Sequence, residues 1–342
     1  MTLMATEIAE QPAVLERVLR DVPPQLAPMV ARLRATSPRV VLLAARGTSD
    51  NAALYAKYLV ETVVGLPAGL ASPSAMTIYG ARPDLRNVLV VAVSQSGGSP
   101  DLLEVTQAAR ASGAVTLAVT NAPQSPLAAA AELHLDVEAG EERAVPATKS
   151  YTAQLLALWL LCTAWGKGDL TAAEGLPVAA DAMLMRSADP ADELAALLAR
   201  ADRIVVSARG FAYATACEAA LKLMETSYVA AHAFSGADLL HGPIAMVAPG
   251  EPALAIVPRG AGGAAMLPVL DRLRAAGATL AILGDRGRHA PSWSLSLPPV
   301  DEALSPILQI LPMQLLVQCV AELRGLRVDS LAREQDDTKV AA

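Results

Sequence analysis

Val88-Leu89-Val90-Val91-Ala92-Val93-Ser94-Gln95-Ser96-Gly97-Gly98-Ser99-Pro100-Asp101-Leu102-Leu103 decides how this chain folds. The unbroken apolar run 88–93 reads as a strand buried on both faces, which is the mark of a parallel sheet. Ser99 suits an N-cap, Pro100 is allowed at the first helical position, and Asp101 complements the positive end of a helix. A helix therefore begins at the mouth of the strand, under a hydroxyl-rich loop. Such a loop over free N–H groups binds anions, phosphate most often. It holds no lysine, which argues against a Walker-type nucleotide loop and suits a small phosphate ester held by neutral donors. Taken alone, the stretch reads equally well as an ordinary capped turn.

The rest of the chain bounds the answer. Its 342 residues leave room for two α/β domains. With 53% hydrophobic residues and a formal net charge of −7, it has the composition of a core-rich protein without polyanion-binding character, so nucleic acid is not an expected partner. The longest apolar run, 155–165, is too short to span a bilayer, and no membrane association is expected. Residues 1–11 carry Glu7 and Glu10 and lack the pattern of a secretory signal. Cys162, Cys217 and Cys319 lie far apart in apolar segments and read as reduced core residues, so the expected compartment is the cytoplasm. Of 27 basic residues only Lys57, Lys149, Lys167, Lys222 and Lys339 are lysines. A chain that prefers Arg for solvated charge keeps Lys where an amine is needed chemically, although a solvated surface lysine is the commoner fate.

An internal repeat organises the whole. Residues 94–121 align without gaps on 258–285, and Arg110-Ala111-Ser112-Gly113-Ala114 faces Arg274-Ala275-Ala276-Gly277-Ala278. Upstream, 40–47 resembles 204–210. Each copy reads strand, helix, strand, helix, strand, which predicts a parallel sheet with helices on both faces, present twice. The copies differ where a ligand would sit: Ser94-Gln95-Ser96-Gly97-Gly98-Ser99 becomes Pro258-Arg259-Gly260-Ala261-Gly262-Gly263. The expected organisation is a helical segment 1–36, a first, phosphate-binding domain 37–165, a linker helix 166–195, a second domain 196–325 and a C-terminal tail 326–342.

These motifs give the chain a resemblance to the SIS (sugar isomerase) family. It is most similar to the isomerase half of glutamine:fructose-6-phosphate amidotransferases and to the SIS-type glucosamine-6-phosphate deaminases. The resemblance is carried by Glu7-Ile8-Ala9-Glu10-Gln11-Pro12, Arg46-Gly47-Thr48-Ser49-Asp50-Asn51, the 94–101 loop and Glu142-Arg143-Ala144-Val145-Pro146-Ala147-Thr148-Lys149-Ser150. In the second half it adds Ala220-Leu221-Lys222-Leu223-Met224-Glu225 and His241-Gly242-Pro243. It implies two tandem α/β domains, each a flavodoxin-like three-layer sandwich. It also implies a sugar-phosphate site without metal or organic cofactor, lined by Gly47, Thr48, Ser49, Ser94, Gln95, Ser96, Ser99, Val145 and Ala147.

Isomerisation and deamination of an amino sugar need a base that moves a proton between C2 and C1, a group that opens the ring and a fixed phosphate. Glu225 lies three residues after Lys222 on an apolar helix expected over 217–229, so the two share a face. They read either as an ion pair on a helix surface or, with the resemblance, as proton-transfer base and electrostatic neighbour. His241 occupies the family's ring-opening position; in relatives it reaches the neighbouring subunit, which implies a homodimer. Lys339 resembles a tail lysine that can form an imine with the open-chain ketose, in a tail that departs from the family's pattern. His134, His232 and His289 match no motif.

Departures narrow the expectation. Thr2 follows Met1 where an amidotransferase exposes a nucleophilic N-terminal cysteine, so glutamine is not an expected nitrogen source. Gly98 replaces an acidic loop residue, and Ser99-Pro100-Asp101 follows as in the deaminase-like branch, although His232 replaces that branch's usual Glu. The expected activity converts a hexosamine 6-phosphate, glucosamine 6-phosphate foremost, to fructose 6-phosphate and ammonia. A non-catalytic sugar-phosphate sensor, a plain ketose–aldose isomerase and a fructosamine-phosphate deglycase are the alternatives.

Overall fold

A computed structural model describes residues 2–329. The tail, with Lys339, lies outside the described residues. Ten strands form two five-stranded sheets, and every pairing is parallel. The first comprises β1 (Val40–Ala44), β2 (Ala68–Leu70), β3 (Val88–Ser94), β4 (Val115–Thr120) and β5 (Leu133–Asp136), in the order β2-β1-β3-β4-β5. The second comprises β6 (Arg203–Ala208), β7 (Ala230–Ser235), β8 (Pro252–Val257), β9 (Thr279–Gly284) and β10 (Trp293–Leu295), in the order β7-β6-β8-β9-β10. The orders are the same once the repeat is applied. Each sheet has five strands where the sequence pattern showed three. The missed ones include three-residue edge strands, too short to carry a period.

By contact density the described residues form two units. The β1–β5 unit spans 13–142 and 149–174; the β6–β10 unit spans 2–12, 143–148 and 175–329. In the first, β1 connects to β2 in one direction and β3 to β4 in the other. Right-handed crossovers then put the helices Thr48–Leu59 and Pro100–Ala111 on opposite faces. Ala44, Ala92 and Ala118 supply one face, small enough for Leu102 and Val105 of Pro100–Ala111 to pack closely against it. The helix ends where Gly113 (φ +90°) takes the left-handed conformation, and its counterpart Leu267–Ala275 ends the same way at Gly277 (φ +80°).

In the β6–β10 unit the long helix Leu176–Leu198 begins within the interval 166–195. It packs against Ser305–Leu323, which also meets Ala212–Ser227. Ser305–Leu323 is the one described helix long and apolar enough to cross a membrane, and 72% of it is buried. It outruns the 155–165 stretch. Gln309, Gln314 and Gln318 interrupt it in sequence, and Gln309 and Gln314 are satisfied inside by Ser305, Thr215 and Gln11.

Candidate active site

In the β1–β5 unit the chain direction across the sheet reverses between β1 and β3, and ligands bind beyond the strand carboxyl ends at such a reversal. Two helix N-termini follow those strands. Ser94 closes β3 and its Oγ accepts the Gly97 N–H at 3.0 Å; Ser96 Oγ accepts the Gly98 N–H at 3.3 Å. Ser49 Oγ, in the first turn after β1, accepts from Gln154 Nε2 at 3.1 Å. A hydroxyl has one proton to give and two lone pairs to receive with. With their oxygens engaged by protein N–H groups, these three serines keep their protons for an acceptor from outside.

The loop is also held rigidly. The Gln95 carbonyl receives Asn121 N–H at 3.1 Å, and the Gly97 carbonyl receives Leu127 N–H at 3.2 Å. Gly97 sits at φ +61°, and a Cβ there would run into the Ser125 side chain, so glycine is needed on two counts. Gly47 (φ +57°) precedes Thr48, the first residue of its helix.

Ser99 occupies the N-cap but its side chain caps nothing. Its hydroxyl donates to Asp101 Oδ1 at 2.6 Å, a charged acceptor two residues away. Asp101 Oδ2 takes Arg46 Nη2 at 2.6 Å, joining the loop after β1 to the helix after β3. Gln154 was not singled out in the sequence. Its signal was one amide inside the apolar helix Lys149–Trp165, where it is fully buried.

The β6–β10 unit holds the titratable groups. Glu218, Lys222 and Glu225 fall at i, i+4 and i+7 of the helix Ala212–Ser227, hence on one face. Lys222 Nζ lies 2.6 Å from Glu225 Oε2 and 3.5 Å from Glu218 Oε1. Lys222 is 2% exposed and Glu218 0%, while the Glu225 side chain is 28% exposed. This excludes the surface ion pair. It also corrects the reading of an apolar helix, since Glu218 is a second carboxylate, fully buried, that the pairing of Lys222 with Glu225 alone passed over. Burial pushes the Lys222 amine towards neutrality, but Glu218 and Glu225 outweigh it and hold the amine above the usual lysine range. Lys222 is therefore an ammonium, and Glu225 is the open end of the array.

His241 ends the short helix Gly236–Leu240. Its N–H bonds the Asp238 carbonyl at 3.0 Å, and its side chain is exposed before Gly242 (φ +134°) turns the chain. Val145 is 51% exposed, Pro146 buried and Ala147 half-buried, on the segment 143–148 of the same unit. The structure thus places the serine loop in one unit, and Lys222, Glu225, His241, Val145 and Ala147 in the other. Among the described residues no cluster of three His, Cys, Asp or Glu side chains could hold a metal.

The loop after β8 is built differently. Glu302 reaches it, accepting Ala261 N–H at 2.8 Å and Gly262 N–H at 2.7 Å. A Cβ on Gly260 would collide with that carboxylate.

Residues 36–164 and 197–286 match the model of the SIS domain, covering the first sheet and β6–β9 of the second. The chain belongs to the SIS domain family. Over 95% of its length this SIS protein is 36% identical to a glutamine–fructose-6-phosphate aminotransferase [isomerizing] of Symbiobacterium thermophilum and 34% identical to one of Gloeobacter violaceus. It covers 57% and 56% of those proteins, so it spans little more than half the length of the curated relatives it matches. Among solved structures, a candidate phosphosugar isomerase from Silicibacter pomeroyi DSS-3 superposes with a TM-score of 0.87 at 34% identity, covering 96% of this chain and all of the other. The C-terminal domain of the glucosamine-fructose-6-phosphate aminotransferase of Francisella tularensis gives 0.84 at 26% identity, over 96% and 98% of the two chains.

Proposed function

We propose that this SIS protein is an amino-sugar phosphate isomerase and deaminase, converting a hexosamine 6-phosphate, glucosamine 6-phosphate foremost, and water to fructose 6-phosphate and ammonia. The observation that carries the reading is the Glu218–Lys222–Glu225 array, with one buried carboxylate to keep the ammonium charged and one part-exposed carboxylate to exchange a proton. The names of the relatives, which act on fructose 6-phosphate and glutamine, support the substrate class.

In this reading Ser49, Ser94 and Ser96 donate to the phosphate, with Gln95, Gly47 and Thr48 beside them. Ser99 joins once its proton leaves Asp101. Each hydroxyl to a charged oxygen contributes about 1.5–3 kcal/mol. Val145 and Ala147 border the sugar. His241 opens the pyranose to the aldehyde. Glu225 takes the C2 proton while O1 is protonated, and Lys222 stabilises the charge that develops on the enolamine. Return of a proton to C1 leaves an imine at C2, and water replaces its nitrogen to give the ketone and ammonia. His241 is supplied by the neighbouring subunit of a homodimer, which its exposure supports. The reaction runs in the cytoplasm.

The test is to incubate the protein with 6-phospho-amino sugars in deuterated water. Ammonia release with deuterium at C1 of fructose 6-phosphate is expected. Deuterium without ammonia, from a ketose or aldose phosphate, would make it a plain isomerase, and tight binding with neither signal would make it a sensor.

A further inference from the structure

The segment 143–148 leaves β5 and its following loop to pack with the N-terminal residues, and two separate contacts hold it. At its start, the Glu7 carboxylate accepts both Arg143 N–H (Oε1, 2.6 Å) and Ala144 N–H (Oε2, 3.1 Å). At its end, the Thr148 carbonyl receives Gln314 Nε2 at 3.3 Å, and Gln314 Oε1 receives Gln11 Nε2 at 2.7 Å. Glu7 is 4% exposed, and Gln11, Gln314 and Thr148 are buried. A buried carboxylate is costly unless its oxygens are hydrogen-bonded, and here they are used on the backbone of a loop far away in sequence. Between the two contacts stand Val145, Pro146 and Ala147, with only Pro146 buried.

We propose that Glu7, with Gln11 and Gln314, is a positioning residue for the sugar phosphate: it fixes the height and direction of Val145-Pro146-Ala147 so that the loop meets the ligand without first having to be ordered. The proposal rests on the reading of Val145 and Ala147 as substrate-bordering residues. Two N–H groups received by one carboxylate set the peptide plane at residues 143 and 144, and the fixed φ of Pro146 stiffens the middle of the loop. Holding a loop in its bound form removes its ordering cost from binding and from turnover.

Three variants and two measurements test this. Glu7→Gln keeps the shape but can accept only through one oxygen, Glu7→Asp keeps the charge with a shorter reach, and Gln11→Met removes the partner that orients Gln314 towards Thr148 without touching Glu7. Amide hydrogen exchange of the peptide over 143–148 is followed with and without glucosamine 6-phosphate, alongside the peptide over 94–99. The wild-type loop is expected to be protected, and more so with the ligand. Glu7→Gln should raise its exchange at least tenfold and abolish the added protection, with the 94–99 peptide unchanged. Glu7→Asp should fall between, and Gln11→Met should raise exchange at the Thr148 end. In turnover, Glu7→Gln should lower kcat about tenfold with KM shifted less than threefold, because the phosphate loop is untouched. Unaltered exchange in Glu7→Gln, or in Gln11→Met if the former does not fold, overturns the proposal, as does a wild-type loop that the ligand leaves unprotected. If the wild type releases no ammonia, the proposed reaction fails while the exchange measurements still decide the role of Glu7.

Discussion

The loops after β3 and β8 occupy equivalent places in equivalent sheets and have met the same problem in opposite ways. Both begin helices, and both leave backbone N–H groups directed past the end of a buried strand. After β3 the chain surrounds them with serines whose oxygens already receive N–H groups and whose protons remain to be given. After β8 it discards the hydroxyls, and Glu302 takes the Ala261 and Gly262 N–H groups itself. One copy leaves hydroxyl protons undonated, as the proposed phosphate site requires, and the other has satisfied its N–H groups with a side chain. The repeated scaffold thus differs at this loop, while the strand order and the left-handed helix-end glycines Gly113 and Gly277 are shared.

The comparison breaks most visibly if chemistry is not confined to the second copy. Glu225→Gln should lower kcat by about 10²–10⁴, the usual loss for a positioned base, with sugar-phosphate affinity retained. A simultaneous collapse of affinity, read by calorimetry, would place the phosphate grip in the second copy. Glu302→Gln removes the charge and one acceptor from two N–H groups, and should cost the β6–β10 unit about 1–3 kcal/mol in denaturant unfolding, with phosphate affinity unchanged. If affinity falls instead, the second loop is part of the ligand site. Ser94→Ala and Ser96→Ala should each weaken sugar-phosphate binding about tenfold, and Gln154→Leu somewhat less, since it only releases the orientation of Ser49. The smallest effect concerns pH. Lys222 titrates above its ordinary range of 10.5 because of its carboxylates. Its contribution to stability is therefore complete below the unfolded-state value and is lost as pH rises through the higher folded value. The melting temperature should hold level from neutral pH to about 10 and fall beyond, and Lys222→Met should flatten that fall.

Much of this was legible in the chain itself. Runs such as 88–93 and 115–120 are long and apolar enough to be strands, and the gap-free alignment of the two halves fixed their equivalence. The edge strands β2 and β10 escaped because three residues give no period and their pairing comes from the neighbouring strand. The serine loop was visible as a cluster of donors, but which of those donors is already engaged could not be read. Ser99 gives its proton to Asp101 only because the turn after Pro100 brings the two together. Glu218 and Gln154 were in plain view as residues, yet their burial depends on which helix faces are covered. Glu7 shows the same limit over a longer reach: no local pattern links it to Arg143, and only the fold brings them within hydrogen-bond distance.

The carboxylate of Glu302 has one more consequence, for how the two units respond to their surroundings. An anion that binds the folded state alone stabilises it in proportion to the logarithm of its concentration, about 2.7 kcal/mol at a hundredfold excess over Kd. In the proposed reading the serine loop of the β1–β5 unit takes its anion from solution and is subject to that law. The loop after β8 carries its anion covalently, at a fixed effective concentration. Raising the sugar phosphate should therefore slow amide exchange in the loop after β3 and leave that of the loop after β8 level.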